Sequence, residues 1–188
     1  MRRLSRLFTV TLVAGVVIGA TAMATGASAA TEEAMTDGDL TLTSAAFAGG
    51  ERIPQVHAYR PEGENRVPEL SWTGVPAGTK ELALIVDDPD APREDPWVHW
   101  VVYAIPADAT GIPAGSAGDR VEGRNDFGGT GWGGPLPPRG HGTHHYHFKL
   151  YALDAEVGLG AGATKTEVLE AIDGHVLAQA ELVGTYSR

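Results

Sequence analysis

His144-His145-Tyr146-His147-Phe148-Lys149-Leu150-Tyr151-Ala152-Leu153 alternates in character with a period of two. In an extended chain successive side chains point to opposite faces. Tyr146, Phe148, Leu150 and Ala152 therefore share one face, and His145, His147, Lys149 and Tyr151 share the other. The first set is the better core face, and His144 extends it to the strand's entrance. Two other runs, Leu82 to Val86 and Val98 to Ile105, are continuously apolar. Their lengths favour strands over helices, and their lack of alternation predicts burial on both faces. Leu40 to Thr43 alternates, as do Val176, Ala178, Ala180 and Leu182, which read as a closing strand. Gln55 to Tyr59 reads as a short edge strand. One helix is signalled: Thr164 and Glu167 fit a capping box, Val168, Leu169 and Ile172 form a stripe, and Gly174 ends it. Short apolar runs punctuated by 25 Gly and 12 Pro predict a mainly β domain. The Gly- and Pro-rich stretch from Gly123 to Gly142 is then a long shaped loop, a type of segment that often carries function.

Around this domain the composition sets limits. Arg2, Arg3 and Arg6 precede an apolar run from Leu7 to Ala20, and Ala27-Ser28-Ala29 supplies a small-residue exit. Residues 1–29 read as a cleaved secretory signal, with a retained N-terminal anchor as the alternative, and residues 30–39 as a flexible tail. The expected location is extracytoplasmic, with no stable membrane span after cleavage. Loss of the three arginines would carry the net charge from −10 to −13. Such a balance argues against nucleic-acid partners and against anionic membranes. The chain has no Cys, which excludes disulfides, thiol nucleophiles and zinc–thiolate sites. A single domain spanning residues 40–188 is large enough to hold together without such staples.

Three segments carry candidate chemistry. Asp87-Asp88-Pro89-Asp90-Ala91-Pro92 follows the first buried strand, and its prolines stiffen a turn that can aim a carboxylate. The Ala91–Pro92 bond is left open to either isomer. His99 lies on the second buried strand between Trp97 and Trp100. Consecutive strands tend to be neighbours, which predicts Asp88 beside His99, accepting from its imidazole and raising its pKa. The third segment runs from Gly133-Gly134-Pro135-Leu136-Pro137-Pro138 to His144-His145-Tyr146. His144 and Tyr146 point to one side of their strand, where both could donate to a phosphate-like group.

Taken in order, Asp88-Pro89-Asp90-Ala91-Pro92, His99-Trp100, Gly134-Pro135, Pro137-Pro138 and His144-x-Tyr146 resemble the phosphatidylethanolamine-binding protein family, in its bacterial Raf kinase inhibitor-like branch. Ile53-Pro54, Pro68-Glu69-Leu70-Ser71-Trp72, Asn125-Asp126-Phe127-Gly128 and His175-Val176-Leu177-Ala178 fit the same pattern. The resemblance implies a β-sandwich-like fold of two antiparallel sheets with one or two short peripheral helices and a small anion pocket. It assigns Asp88 as the pocket carboxylate, Asp90 as support for the turn, His99 as the pocket imidazole, Pro137 and Pro138 as a wall, and His144 with Tyr146 as the His-x-Tyr pair. Leu136 stands where bacterial relatives often carry Cys, and His145 where the family often has Arg.

Other signals fail on context. Gly129-Thr130-Gly131-Trp132-Gly133-Gly134 matches a bare dinucleotide pattern but leads into prolines rather than a helix. Ala114-Gly115-Ser116-Ala117-Gly118 lacks the first glycine of a nucleophile elbow. His145 and His147 share a face but make only half a metal site. The expected function is a secreted, non-catalytic binding module for a small anion, phosphate or headgroup-like, with no cofactor and no metal. Binding should tighten as pH falls if a pocket histidine becomes charged. The alternatives are an inhibitor of an exported enzyme such as a protease, acting through the Pro-rich loop, and, less favoured, a hydrolase using Asp88 and His99 as a general-base pair.

Overall fold

The computed structural model describes residues 39–188. The expected signal segment and nearly all of the expected tail lie outside the described residues. The described residues hold eight strands in two antiparallel sheets. The smaller contains β1 (Thr41–Thr43), β2 (Leu70–Thr73) and β5 (Gly111–Ile112) in the order β1-β2-β5. The larger contains β3 (Glu81–Asp88), β4 (Trp97–Pro106), β6 (Val121–Glu122), β7 (His144–Leu153) and β8 (Val176–Tyr186) in the order β6-β4-β3-β7-β8. Among the described residues the single α-helix is α1 (Lys165–Ile172), which precedes β8. The expected fold class is thus the observed one.

Strand β3 is central in the larger sheet, and each of its eight residues is buried. Its two faces serve two cores. Leu82, Leu84 and Val86 join Trp100, Phe148, Leu150 and Leu182 against Leu42, Leu70, Trp72 and Ile112 of the smaller sheet. Ala83 and Ile85 join Val101, Tyr103 and Leu153 beneath Val168 and Ile172 of α1. This two-sided cover is why the run from Leu82 to Val86 shows no alternation. Strand β7 does alternate, with His145 exposed and His147 and Lys149 half-buried. Tyr151, placed on the outer face by period, is nonetheless buried, because the second core extends over that end of the strand.

The helix begins as its residues prescribe. The Thr164 side chain accepts from the Glu167 backbone N–H, and the Glu167 carboxylate accepts from the Thr164 N–H at 2.8 Å. Gly174 follows at a positive φ of 77°, a conformation that glycine adopts without a side-chain penalty.

One expected strand is corrected. Gln55 to Tyr59 does not pair as an edge; Gln55–His57 form a one-turn 3-10 helix. His57 and Ala58 donate backwards to the carbonyls of Pro54 and Gln55 at 3.0 and 2.9 Å. Pro54 fixes its own φ at the value that starts such a turn, so local closure wins over pairing. Ala91–Pro92 is trans, and Arg60–Pro61 is cis.

Two irregularities in the β3–β4 ladder matter for the site. Between Leu82 and Leu84 the register shifts, and Ala104 in β4 takes a positive φ of 53°. The buried Glu81 carboxylate accepts from the Ala104 N–H at 2.6 Å, and from Val157 N–H at 3.3 Å. Burial raises the Glu81 pKa despite these bonds. The second shift, between Val86 and Asp87, falls at His99. Val86 pairs with Trp100 and Asp87 with Val98, so His99 is the extra residue of a bulge.

Candidate functional site

That bulge re-aims one side chain. Strict alternation would put His99 on the face of Val101 and Tyr103, under the helix. Instead His99 and Trp100 both turn toward the inter-sheet side, and the His99 ring lies 5.0 Å from the Tyr146 ring, edge to face. Asp88, at the end of β3, and His144 and Tyr146, at the start of β7, reach the same place because β3 and β7 are antiparallel neighbours. Their side chains line a cavity of about 340 Å³ with His99. Ala91, Pro92, Trp97, Phe127, Leu136, Pro137 and Pro138 complete a mainly apolar wall.

The turn after β3 is tied to β7 by both of its outer carboxylates. Asp88 Oδ2 accepts from His144 Nδ1 at 2.7 Å, and Asp88 Oδ1 accepts from the Asp90 N–H at 2.9 Å. Asp90 Oδ2 accepts from the His145 backbone N–H at 2.8 Å and from its Nδ1 at 2.7 Å. Burial works to raise the Asp90 pKa, but the His145 hydrogen bonds and the charges of His145 and His144 outweigh it and hold the carboxyl below its usual value.

The Gly-rich loop supplies the opposite wall. The His99 ring donates from Nδ1 to the Gly133 carbonyl at 2.5 Å, and the Gly133 N–H donates to the His99 carbonyl at 2.9 Å. A Cβ at Gly133 would lie 2.2 Å from the Phe127 ring, so only glycine permits this approach. Asn65 anchors the next residue, accepting from Gly134 N–H at 2.7 Å while donating to the Trp132 carbonyl at 2.8 Å. Asn125 shapes the preceding turn, accepting from Phe127 N–H at 3.0 Å and donating to the Gly131 carbonyl at 2.8 Å. Phe127 thereby stacks on Tyr59 and meets His99 edge-on at 5.5 Å.

Of the seven residues singled out from sequence, Asp88, His99, Pro137, Pro138, His144 and Tyr146 line one cavity. Asp90 does not; it is partly exposed and spends its carboxylate on His145. Two expected interactions are also corrected. Asp88 bonds to His144 rather than His99, and His99 finds its partner in Gly133. The His99 pKa is consequently not raised but lowered, first by burial, with the Gly133 carbonyl and the charge of Asp88 offsetting it in part. His144 is not a free donor either, since its Nε2 lies 2.9 Å from His141 Nδ1 while Nδ1 serves Asp88.

Donors remain elsewhere. The Tyr146 hydroxyl is buried and has no hydrogen-bond partner among the described residues. Burial, the negative charge of Asp88 and the approach of the hydroxyl to that carboxylate push its pKa far up, so it keeps its proton. The indole Nε1–H of Trp97, also a lining residue, is likewise without a partner among the described residues. Sequence reasoning missed Trp97, Phe127 and Leu136 as walls. Leu136 adjoins Pro137 and Trp97 stands two residues before His99, but apolar walls have no chemical signature of their own.

Comparison with known proteins agrees with this architecture. Residues 43–187 match the model of the phosphatidylethanolamine-binding protein family. A UPF0098 protein of Methanothermobacter thermautotrophicus is 49% identical, covering 79% of this chain and 99% of that protein. Among solved structures, a phosphatidylethanolamine-binding protein homologue from Chlamydia trachomatis shares 41% identity with a TM-score of 0.75, covering 80% of this chain and 98% of that one. Escherichia coli YbcL, described as a member of the mammalian family, shares 36% identity with a TM-score of 0.75, covering 80% and 99%.

Proposed function

The chain belongs to the phosphatidylethanolamine-binding protein family, and on that premise we propose that it binds a small phosphate-like anion in the cavity of Asp88, His99, His144 and Tyr146. The binding is non-covalent and takes place outside the cytoplasm, after export by the N-terminal segment. The observation that carries the reading is that the buried Asp88, His99, His144 and Tyr146 line one cavity, where the Tyr146 hydroxyl has no hydrogen-bond partner among the described residues. A buried donor without a partner costs about 1–3 kcal/mol, and a ligand oxygen recovers that loss. The cavity size fits a small ligand or headgroup, and its apolar wall strengthens polar contacts at the floor by excluding water.

Two other readings weaken against the same geometry. A general-base pair of Asp88 and His99 does not form, since the two side chains take different partners. An inhibitor presenting its Pro-rich loop gains only the exposed run from Pro138 to Thr143, because Leu136 and Pro137 turn into the cavity.

Calorimetric titration of inorganic phosphate and phosphoethanolamine into wild type and Tyr146→Phe tests the proposal. The variant keeps the ring and removes a hydroxyl that has no hydrogen-bond partner among the described residues, so it should fold at nearly undiminished stability. Its affinity should fall by about tenfold or more, the value of a hydrogen bond to a charged group. Equal affinities in the two proteins would remove this cavity from the functional account.

A further inference from the structure

Two histidines of β7 stand on the face turned away from the cavity. His144 and Tyr146 point into it, whereas His145 and His147, at the alternate positions, point outward with side chains 50% and 26% exposed. Each outward ring is held by a carboxylate from a neighbouring segment. Asp90 Oδ2 accepts from His145 Nδ1 at 2.7 Å and from the His145 backbone N–H at 2.8 Å. Glu181 Oε1, on β8, accepts from His147 Nδ1 at 2.8 Å. A carboxylate only accepts, so each neutral ring carries its proton on Nδ1 and its lone pair on Nε2. Neither Nε2 has a hydrogen-bond partner among the described residues. A metal-ligating histidine has this arrangement, with one nitrogen given to a carboxylate that fixes the tautomer and raises the basicity of the other.

From this pair of oriented rings, and independently of the anion cavity, we propose that His145 and His147 form a surface site for a divalent late transition-metal ion. Two positions along a strand put their backbones about 6.6 Å apart, within reach of one ion that takes each Nε2 at about 2.0–2.1 Å. Charge favours a dication there. Asp90 and Glu181 have no lysine or arginine on them among the described residues, and the next outward residue, Lys149, is spent on Asp87. No group of three or more histidines and carboxylates is arranged around an ion among the described residues. The protein's share is therefore two imidazole nitrogens, and water fills the remaining positions. Imidazole ligands without thiolate favour Cu²⁺ above Zn²⁺, because affinity rises to a maximum at copper and a tetragonal ion accepts water beside nitrogen. Ca²⁺ and Mg²⁺ need several oxygen ligands and find none free, since both carboxylates serve the rings. His175 supplies an internal control. It makes the same contact with Asp154 at 2.8 Å, but precedes β8 at the opposite end of the β7–β8 pair from His145.

The test is calorimetric titration of Cu²⁺, Zn²⁺ and Ca²⁺ into wild type and variants in a non-coordinating buffer at pH 7.5. Wild type should bind Cu²⁺ most tightly, Zn²⁺ less so and Ca²⁺ not at all. His145→Ala and His147→Ala should each weaken Cu²⁺ binding by at least about tenfold, and Glu181→Ala, which releases a ring without removing a ligand, by about tenfold. His175→Ala should bind as wild type does. Pulsed electron paramagnetic resonance of the copper-loaded protein should count two imidazole nitrogens. In wild type, substoichiometric Cu²⁺ should broaden the NMR signals of the His145 and His147 rings before those of His175, a readout that needs no variant to fold. Wild-type affinity in the double variant would overturn the site. So would an equal loss in His175→Ala, or a single bound nitrogen.

Discussion

Asp87 and Asp88 are adjacent in the chain, identical in chemistry and both almost fully buried, yet they serve opposite faces of one sheet. Asp87 turns toward α1. One of its oxygens lies 2.9 Å from Lys149 Nζ, and the other bonds to Lys165, the first residue of the helix. Asp88 turns toward the cavity, where it meets an imidazole and a backbone N–H and borders open space. The first carboxylate is neutralised by two fixed cations and pins a helix to the sheet. Among the described residues the second has no lysine or arginine on it, which leaves its charge to act on a neighbouring ligand. A one-residue step along a strand thus separates a structural anion from a candidate binding group.

The largest effect expected from breaking this contrast comes from Asp87→Ala. It leaves Lys149 and Lys165 facing one another without a counter-charge, and should cost about 3 kcal/mol, typical of removing one partner from a buried ion pair. Urea denaturation reads the loss, and phosphate affinity measured on the folded variant should not fall, since Asp87 reaches the cavity only through the action of its charge on His99. A parallel loss of affinity would show that the two faces are coupled.

Asp88→Asn sharpens the contrast from the other side. The amide preserves volume and one acceptor, so stability should fall by only about 1–2 kcal/mol, from weakening a charged hydrogen bond to His144. Phosphate affinity should shift in the same variant, because Asp88 lines the cavity. A variant that lost stability as heavily as Asp87→Ala while keeping wild-type affinity would make Asp88 structural as well.

The smallest expected effect concerns pH. The folded-state pKa of His99 lies below its ordinary 6.5, so between those two values the unfolded chain binds a proton that the folded chain refuses. Stability from this group is complete above the ordinary value and declines as pH falls toward the folded one. The slope is at most about 1.4 kcal/mol per pH unit for one proton. Thermal unfolding of wild type and His99→Gln from pH 7.5 to 5 should show a steeper decline in wild type.

Much of this was legible in the residues. The periodicity of His144 to Leu153 identified β7 and its core face, and the unbroken apolar runs identified β3 and β4. The Thr164–Glu167 box located the start of α1. Ordered motifs brought Asp88, His99, Pro137, Pro138, His144 and Tyr146 to one cavity. The edge strand at Gln55 was misread because a Pro-initiated turn and a short strand share their composition. The walls Trp97, Phe127 and Leu136 were overlooked because apolar side chains look alike whether they face a core or a ligand.

Alternation, capping and turn formation depend on neighbours a few positions apart, so strands, helix and the stiff Asp-Pro turn were decided by the amino-acid order alone. Who bonds to whom was decided by tertiary structure. The bulge at His99 and the antiparallel pairing of β3 with β7 gave Asp88 to His144 and His99 to Gly133. Those partnerships set which atoms keep a free proton or lone pair, because a hydrogen bond depends on distances between segments that the linear chain leaves unspecified.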